Sequence, residues 1–238
     1  MHTPDAAPPA EPAAALWEDF LDIYYAPRQV FARRTDGRWA PVLLLLTLLM
    51  ALLFYASFSV LAPVFEAEFN RAMQQNPGIS AEQLDQARRM AGIFGLVSAV
   101  FAFPLGVIIT GAVVWAVGKL FDSVAPFAAG LLIATYAQFP RLLQQLTSIL
   151  QGLVLDTRDL RSIYSVSLSP ARFLDPDSVS VLLMGFAGRF DLFILWSSLL
   201  IAIGLQVLGR VPKLHSYLAA ALVWLLGSFP VLLGALGG

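Results

Sequence analysis

Apolar residues run without an Asp, Glu, Lys or Arg through positions 39–65, 90–118, 123–140, 192–209 and 214–238. A helix rising about 1.5 Å per residue needs about 20 such residues to cross a hydrocarbon layer of about 30 Å. Three of the runs exceed that length, and 123–140 and 192–209 lie at its lower edge. The pattern predicts an all-α fold: a polytopic membrane helical bundle with five transmembrane helices, at about 41–62, 93–118, 124–140, 191–209 and 217–236.

Within the first span, Trp39 is placed as an interfacial anchor and Pro41 suits a first turn, where its missing N–H has no helical partner. The second carries Pro104, a kink that a membrane helix tolerates when neighbours satisfy the freed carbonyl. Gly111 and Gly118 share one face of it and permit close helix contact. In the third, Pro140–Arg141 marks an end or kink, leaving 142–155 as an amphipathic helix. A continuous helix would instead bury Arg141 in the apolar layer at a cost of several kcal/mol unless paired. Ser178 is placed to cap a short helix ahead of the fourth span. The fifth contains Trp224 and Pro230.

Outside the spans the periodicity changes. Residues 1–15 are rich in Pro and Ala, with no apolar period, and are expected to be disordered. No secretory signal is visible, so the first span is expected to serve as an uncleaved anchor of the 41–238 domain. Between tail and membrane, in 16–40, Phe20, Ile23, Tyr24, Val30 and Phe31 recur at helical spacing, and Pro27 opens a second short helix. This predicts an amphipathic interfacial segment whose Arg28, Arg33, Arg34 and Arg38 meet anionic lipid headgroups or a docked protein partner. The segment from Pro63 to Ala91 reads as a solvated helical hairpin, with a turn at Pro77–Gly78 and a capping box at Ser80 and Gln83.

Composition narrows the function more than the fold. The 238 residues are 58% hydrophobic and 13% charged, and mean hydropathy is +0.73. A soluble domain carries about 25% charged residues. A net charge of −1 offers no basic field for nucleic acid. Cysteine is absent, which removes disulfides, thiolate nucleophiles and Cys-type metal sites. His2 and His215 are the only histidines, so no HExxH pair exists, and Gly118–Lys119 lacks the rest of a Walker A loop. The reading is of a non-enzymatic protein with no catalytic, metal or cofactor-binding residues and no cofactor. Ser197 and Ser198, inside an apolar run, are expected to bond back to helix carbonyls.

Polar residues near membrane depth remain. Tyr136, Gln138, Arg141, Arg189 and Asp191 are the candidate intramembrane or partner-binding set, with Gln144, Gln145 and Gln206 nearby. Asp191 stands where a first helical turn welcomes an acid, and it is also placed to pair with Arg141 or Arg189. Basic residues cluster before the first span and at Arg210 and Lys213. They favour a cytoplasmic N-terminus and an outside C-terminus, in the inner membrane of a bacterium.

Several segments together resemble the bacterial branch of the Yip1-domain family. They are Pro27–x–x–Val30–Phe31 followed by Trp39, Thr135–Tyr–Ala–Gln–Phe–Pro140, Phe190–Asp–Leu–Phe–Ile–Leu–Trp196, Gly204–Leu205, and Arg210–Val–Pro–Lys213. The resemblance covers roughly 16–236 and implies a five-helix integral membrane domain with a cytoplasmic N-terminus. Eukaryotic relatives reside in Golgi and ER membranes and bind Rab-type GTPases; the Asp–Leu–Tyr–Gly–Pro motif associated with them is missing here. The expected function is a membrane scaffold or adaptor organising lipids or partner proteins, self-association included. The alternative is a small transporter, channel or lipid-translocating protein, suggested by the three span prolines.

Overall fold

The computed structural model describes residues 16–74, 80–229 and 231. The tail 1–15, the Pro77–Gly78 turn, Pro230 and the end of the fifth run lie outside the described residues. Among those described, all regular structure is helical: α1 (Leu16–Tyr25), α2 (Pro27–Arg33), α3 (Ala40–Val60), α4 (Ala62–Gln74), α5 (Ala81–Leu120), α6 (Phe127–Tyr136), α7 (Phe139–Val154), α8 (Val181–Gly188), α9 (Leu192–Val207) and α10 (Lys213–Leu226), with two 3₁₀ turns between α7 and α8.

α3 starts at Trp39–Ala40 with Pro41 in its first turn, as its sequence predicts. α5 is one 40-residue helix that runs through Pro104, about 60 Å at 1.5 Å per residue and so about twice a hydrocarbon layer. It starts at the capping box: the Ser80 hydroxyl accepts from Gln83 N (3.3 Å), and the Gln83 side chain accepts from Ser80 N (2.9 Å). Two stretches, Ala40–Val60 and Val100–Leu120, are long and apolar enough to cross a membrane. α8 and α9 make a third only if taken together across their 55° bend. Among the described residues, length and composition alone therefore support two or three of the five expected spans.

The shortfall has local causes. α6 stops after 10 residues, about 15 Å, because its C-terminal end turns at Ala137–Gln138 and Pro140 restarts the chain inside the first turn of α7. The expected break at Pro140 thus lies two residues earlier. The amphipathic 142–155 segment is α7, which begins at Phe139. α9 starts at Leu192 and has 16 residues, and α10 begins at Lys213, four residues before the expected start. The short helix before α9 is capped by Ser180, which accepts from Leu183 N (3.2 Å). Ser178 instead donates to Asp175 O.

Packing follows the small residues. A Cβ on Gly111 would sit 2.8 Å from the Leu131 Cα, so only glycine admits the α5–α6 backbone approach. The main core joins Val114 and Val117 of α5 with Leu132 and Ile133 of α6, Leu200 and Leu205 of α9, and Ala219 and Val223 of α10. A second, smaller core lies under α4, where Leu61 and Val64 meet Leu160 and Val166. There Arg71 pairs with Asp177 (3.0 Å) and Glu68 (3.2 Å), and Glu68 accepts from Ile163 N. The expected solvated hairpin is thus tied to the 155–180 segment. Outward, Leu44, Leu48 and Leu52 of α3 and Phe94, Phe101 and Leu105 of α5 remain exposed.

Candidate functional site

The amphipathic N-terminal segment does not lie apart from the bundle. Ile23, Val30 and Phe31 are fully buried in the main core. Asp19 lies on the same face of α1 as Ile23, one turn earlier, so docking that face carries a carboxylate inside, where it is 1% exposed. Such a charge persists only when its lone pairs are filled. Its Oδ1 accepts from Arg33 Nε (2.9 Å) and Nη2 (2.6 Å). Its Oδ2 accepts from Arg34 Nε (2.7 Å) and from the hydroxyl of Tyr136 (2.5 Å). Asp22 adds a 2.6 Å pair with Arg33 and accepts from the Tyr25 hydroxyl.

Aromatic rings complete this junction. Phe20 stands edge-on to Phe139 at 4.8 Å, and Tyr24 stands edge-on to Trp196 at 5.5 Å. The Tyr24 hydroxyl donates to the Phe139 carbonyl (2.9 Å). Burial pushes the Tyr24 phenol up to about 12, so the group stays a neutral donor at physiological pH. Two of the four arginines expected at lipid headgroups, Arg33 and Arg34, are thus committed to Asp19. Arg28 is exposed and donates to Gln206. Arg38 is 82% exposed and pairs with Asp36 at 3.2 Å.

Of the intramembrane set, the fold brings Gln138 and Arg141 together and sends the others elsewhere. A cavity of about 370 Å³ lies between α3, α5 and the first turns of α7. Its polar lining is Thr110, Gln138, Arg141, Gln144 and Gln145. Met50 forms part of the α3 wall and is the central residue of that helix, ten from either end. Arg141 Nη1 donates to Gln144 Oε1 (2.8 Å), Gln138 donates to Ala134 O (3.1 Å), and Gln145 donates to Ser57 Oγ (3.0 Å). Among the described residues, no carboxylate forms an ion pair with Arg141.

The expected Arg141–Asp191 pair is accordingly not formed. Asp191 is 1% exposed and caps α9: Oδ1 accepts from Phe193 N (2.9 Å), and Oδ2 accepts from Leu168 N (2.9 Å). Two backbone amides and the helix N-terminus neutralise it. Arg189 turns the other way, with Nε on Ser228 Oγ (3.1 Å), Nη2 on the Trp224 carbonyl (3.0 Å) and its plane 5.6 Å from the Trp224 ring. Trp224 Nε1 returns a bond to Arg189 O (3.1 Å). Ser198 bonds back to Ile194 O (3.0 Å), as expected, whereas Ser197 Oγ is buried with no hydrogen-bond partner among the described residues.

A family model described as the Yip1 domain matches residues 21–234. The chain belongs to the Yip1 family. Among characterised proteins, this Yip1 chain is similar to Membrane protein YknW of Bacillus subtilis (strain 168), 24% identical over 151 residues, which cover 63% of this chain and 62% of the relative. The alignment therefore spans less than two thirds of that relative. No solved structure matches.

In this Yip1 protein, the Thr135–Pro140 stretch serves both arrangements. Tyr136 reaches Asp19, Phe139 receives Phe20 and Tyr24, and Gln138 with Pro140–Arg141 turns the chain into the cavity wall. The sequence does not single out Asp19 as a functional residue. Its signal is an acid one turn before Ile23, on the face that the apolar periodicity had already assigned to contact.

Proposed function

We propose that this Yip1 protein is a non-enzymatic membrane scaffold or adaptor that organises lipids or partner proteins. The observation that carries the reading is the pairing of a docked, charge-locked N-terminal arm with the broad apolar face left exposed on α3 and α5. A surface that holds lipid or a membrane helix needs a rigid support, and the Asp19 junction supplies one. Arg28 and Arg38, both exposed and ahead of α3 in the chain, are the arm's residues for anionic headgroups. Self-association through the same apolar face is a further form of this role.

Five crossings, in a bacterial inner membrane with the N-terminus cytoplasmic and the C-terminus outside, are the topology that goes with it. Segregation of the loops supports it. At one end, Gly37 lies against Ala128, and Val124 N donates to Gly209 O (3.0 Å). At the other, α4 is tied to the 155–180 segment through Arg71 and Asp177. α6 with α7, and α8 with α9, would each cross as a broken pair.

The test is crosslinking in intact membranes followed by affinity purification of the full chain. A discrete protein or lipid set, lost when Arg28 and Arg38 are both changed to Gln, supports the scaffold. Recovery of the chain with neither sinks it. The reading as a small transporter, channel or lipid-translocating protein draws on one observation, the α6–α7 break beside the Arg141 cavity. Flux or lipid scrambling in vesicles that Arg141→Gln abolishes would favour it over the scaffold.

A further inference from the structure

Arg141 presents a problem that its own neighbourhood does not solve. A guanidinium in the apolar layer costs several kcal/mol unless it is neutralised. Its hydrogen bond is to the neutral Gln144, and Asp191, whose charge acts on it only through space, has both oxygens on backbone amides. Arg141 lines a cavity of about 370 Å³ together with Gln138, Gln144, Gln145 and Thr110. The α5 wall of that cavity includes Ala102, Gly106 and Thr110 at four-residue spacing, and Ala102 and Gly106 are exposed on the outer surface. A Cβ on Gly106 would meet nothing within 4 Å. The cavity is therefore open sideways, through a strip of small residues, onto the exposed apolar faces of α3 and α5.

We infer that this cavity is a binding site for a phosphate oxyanion, and that an anionic phospholipid supplies it. The planar fork of Arg141 matches two oxygens of a phosphodiester. Glutamine amides are suited to donate to the others. Leu48, Leu52 and Leu105, outside the cavity, offer apolar surface for acyl chains. The site deepens the lipid side of the scaffold reading without resting on it, since that reading is tested at Arg28 and Arg38 and this site at Arg141 and Gly106.

Native mass spectrometry of the full chain in detergent tests it, with dioleoyl phosphatidylglycerol, dioleoylglycerol and inorganic phosphate as probes. The chain is expected to retain phosphatidylglycerol and not the phosphate-free dioleoylglycerol. Arg141→Gln is expected to weaken that retention roughly tenfold or more, the loss of a charge-assisted bond. Since Arg141→Gln also alters an internal bond, Gly106→Leu provides an independent test. It leaves Arg141 in place, fills open space at the mouth, and is expected to reduce retention with unchanged helicity. If millimolar inorganic phosphate displaces the lipid and itself depends on Arg141, the oxyanion site is upheld but its ligand is a free anion. Equal retention of both lipids, or retention that neither variant lowers, overturns the site.

Discussion

Replacing Asp19 with Asn tests whether the N-terminal arm is locked onto the bundle. The carboxylate accepts from Arg33 twice, from Arg34 once and from Tyr136 once, while only 1% exposed. A hydrogen bond to a charged partner contributes about 1.5–3 kcal/mol, but these do not add. Arg33 and Arg34 remain 25% and 13% exposed and regain some water once released. Breaking a buried pair costs about 3–5 kcal/mol, and the lower end applies here, about 3 kcal/mol. That loss falls on the opening of α1 and α2, since Ile23, Val30 and Phe31 still favour docking. Hydrogen exchange read by mass spectrometry in detergent should show amides of α1 and α2 opening about 100-fold more often. Amides of α9 should be unchanged, which separates release of the arm from global unfolding. Tyr136→Phe removes one donor to that carboxylate and should give about tenfold, near 1.5 kcal/mol. Arm exchange in Asp19→Asn within twofold of the parent protein would refute the lock.

Further outcomes follow from single contacts. Gly111→Leu forces apart backbones that approach to 2.8 Å of the missing Cβ; it should lower the melting temperature in detergent, at a cost of about 1–3 kcal/mol or more, while Gly106→Leu should not. Asp191→Ala removes the α9 cap and orphans Leu168 N; it should destabilise by about 2 kcal/mol, with Asp191→Asn milder because the amide oxygen still accepts. In the 155–180 segment, the hydrogen bond from Arg71 holds the Asp177 carboxyl below its usual 3.8. A depressed folded value means that this contact's contribution is present above 3.8 and fades as pH falls through the lower value. Exchange across 175–179 should therefore rise only in strong acid, and Asp177→Asn should remove that acid dependence.

Much of the architecture is legible because it depends on local chemistry. Charge-free runs mark α3 and the apolar part of α5, Ser80 and Gln83 form their capping box, and Pro27 opens α2. The break ahead of Arg141 follows from Pro140. What escapes local reading is decided by tertiary contact. Nothing in 16–40 by itself distinguishes a helix lying on lipid from one docked through Asp19, because both want the same apolar stripe. Crossing helices are equally ambiguous: α6 is too short to span, yet every residue from Ala129 to Tyr136 is buried by neighbours. For the site, the presence of Arg141 and Gln138 is readable, whereas the commitment of Asp191 to Leu168 and Phe193 rests on a chain reversal 23 residues long.

Photocrosslinking in native membranes tests the central claim most directly: an apolar face toward lipid and an arm within the bundle. With a photoreactive residue at Leu48, at Phe101 or at Phe31, one at a time, the first two should capture acyl chains. The third should capture only segments of the same chain around Tyr136. Lipid captured at Phe31, or none at Leu48 and Phe101, would contradict the account.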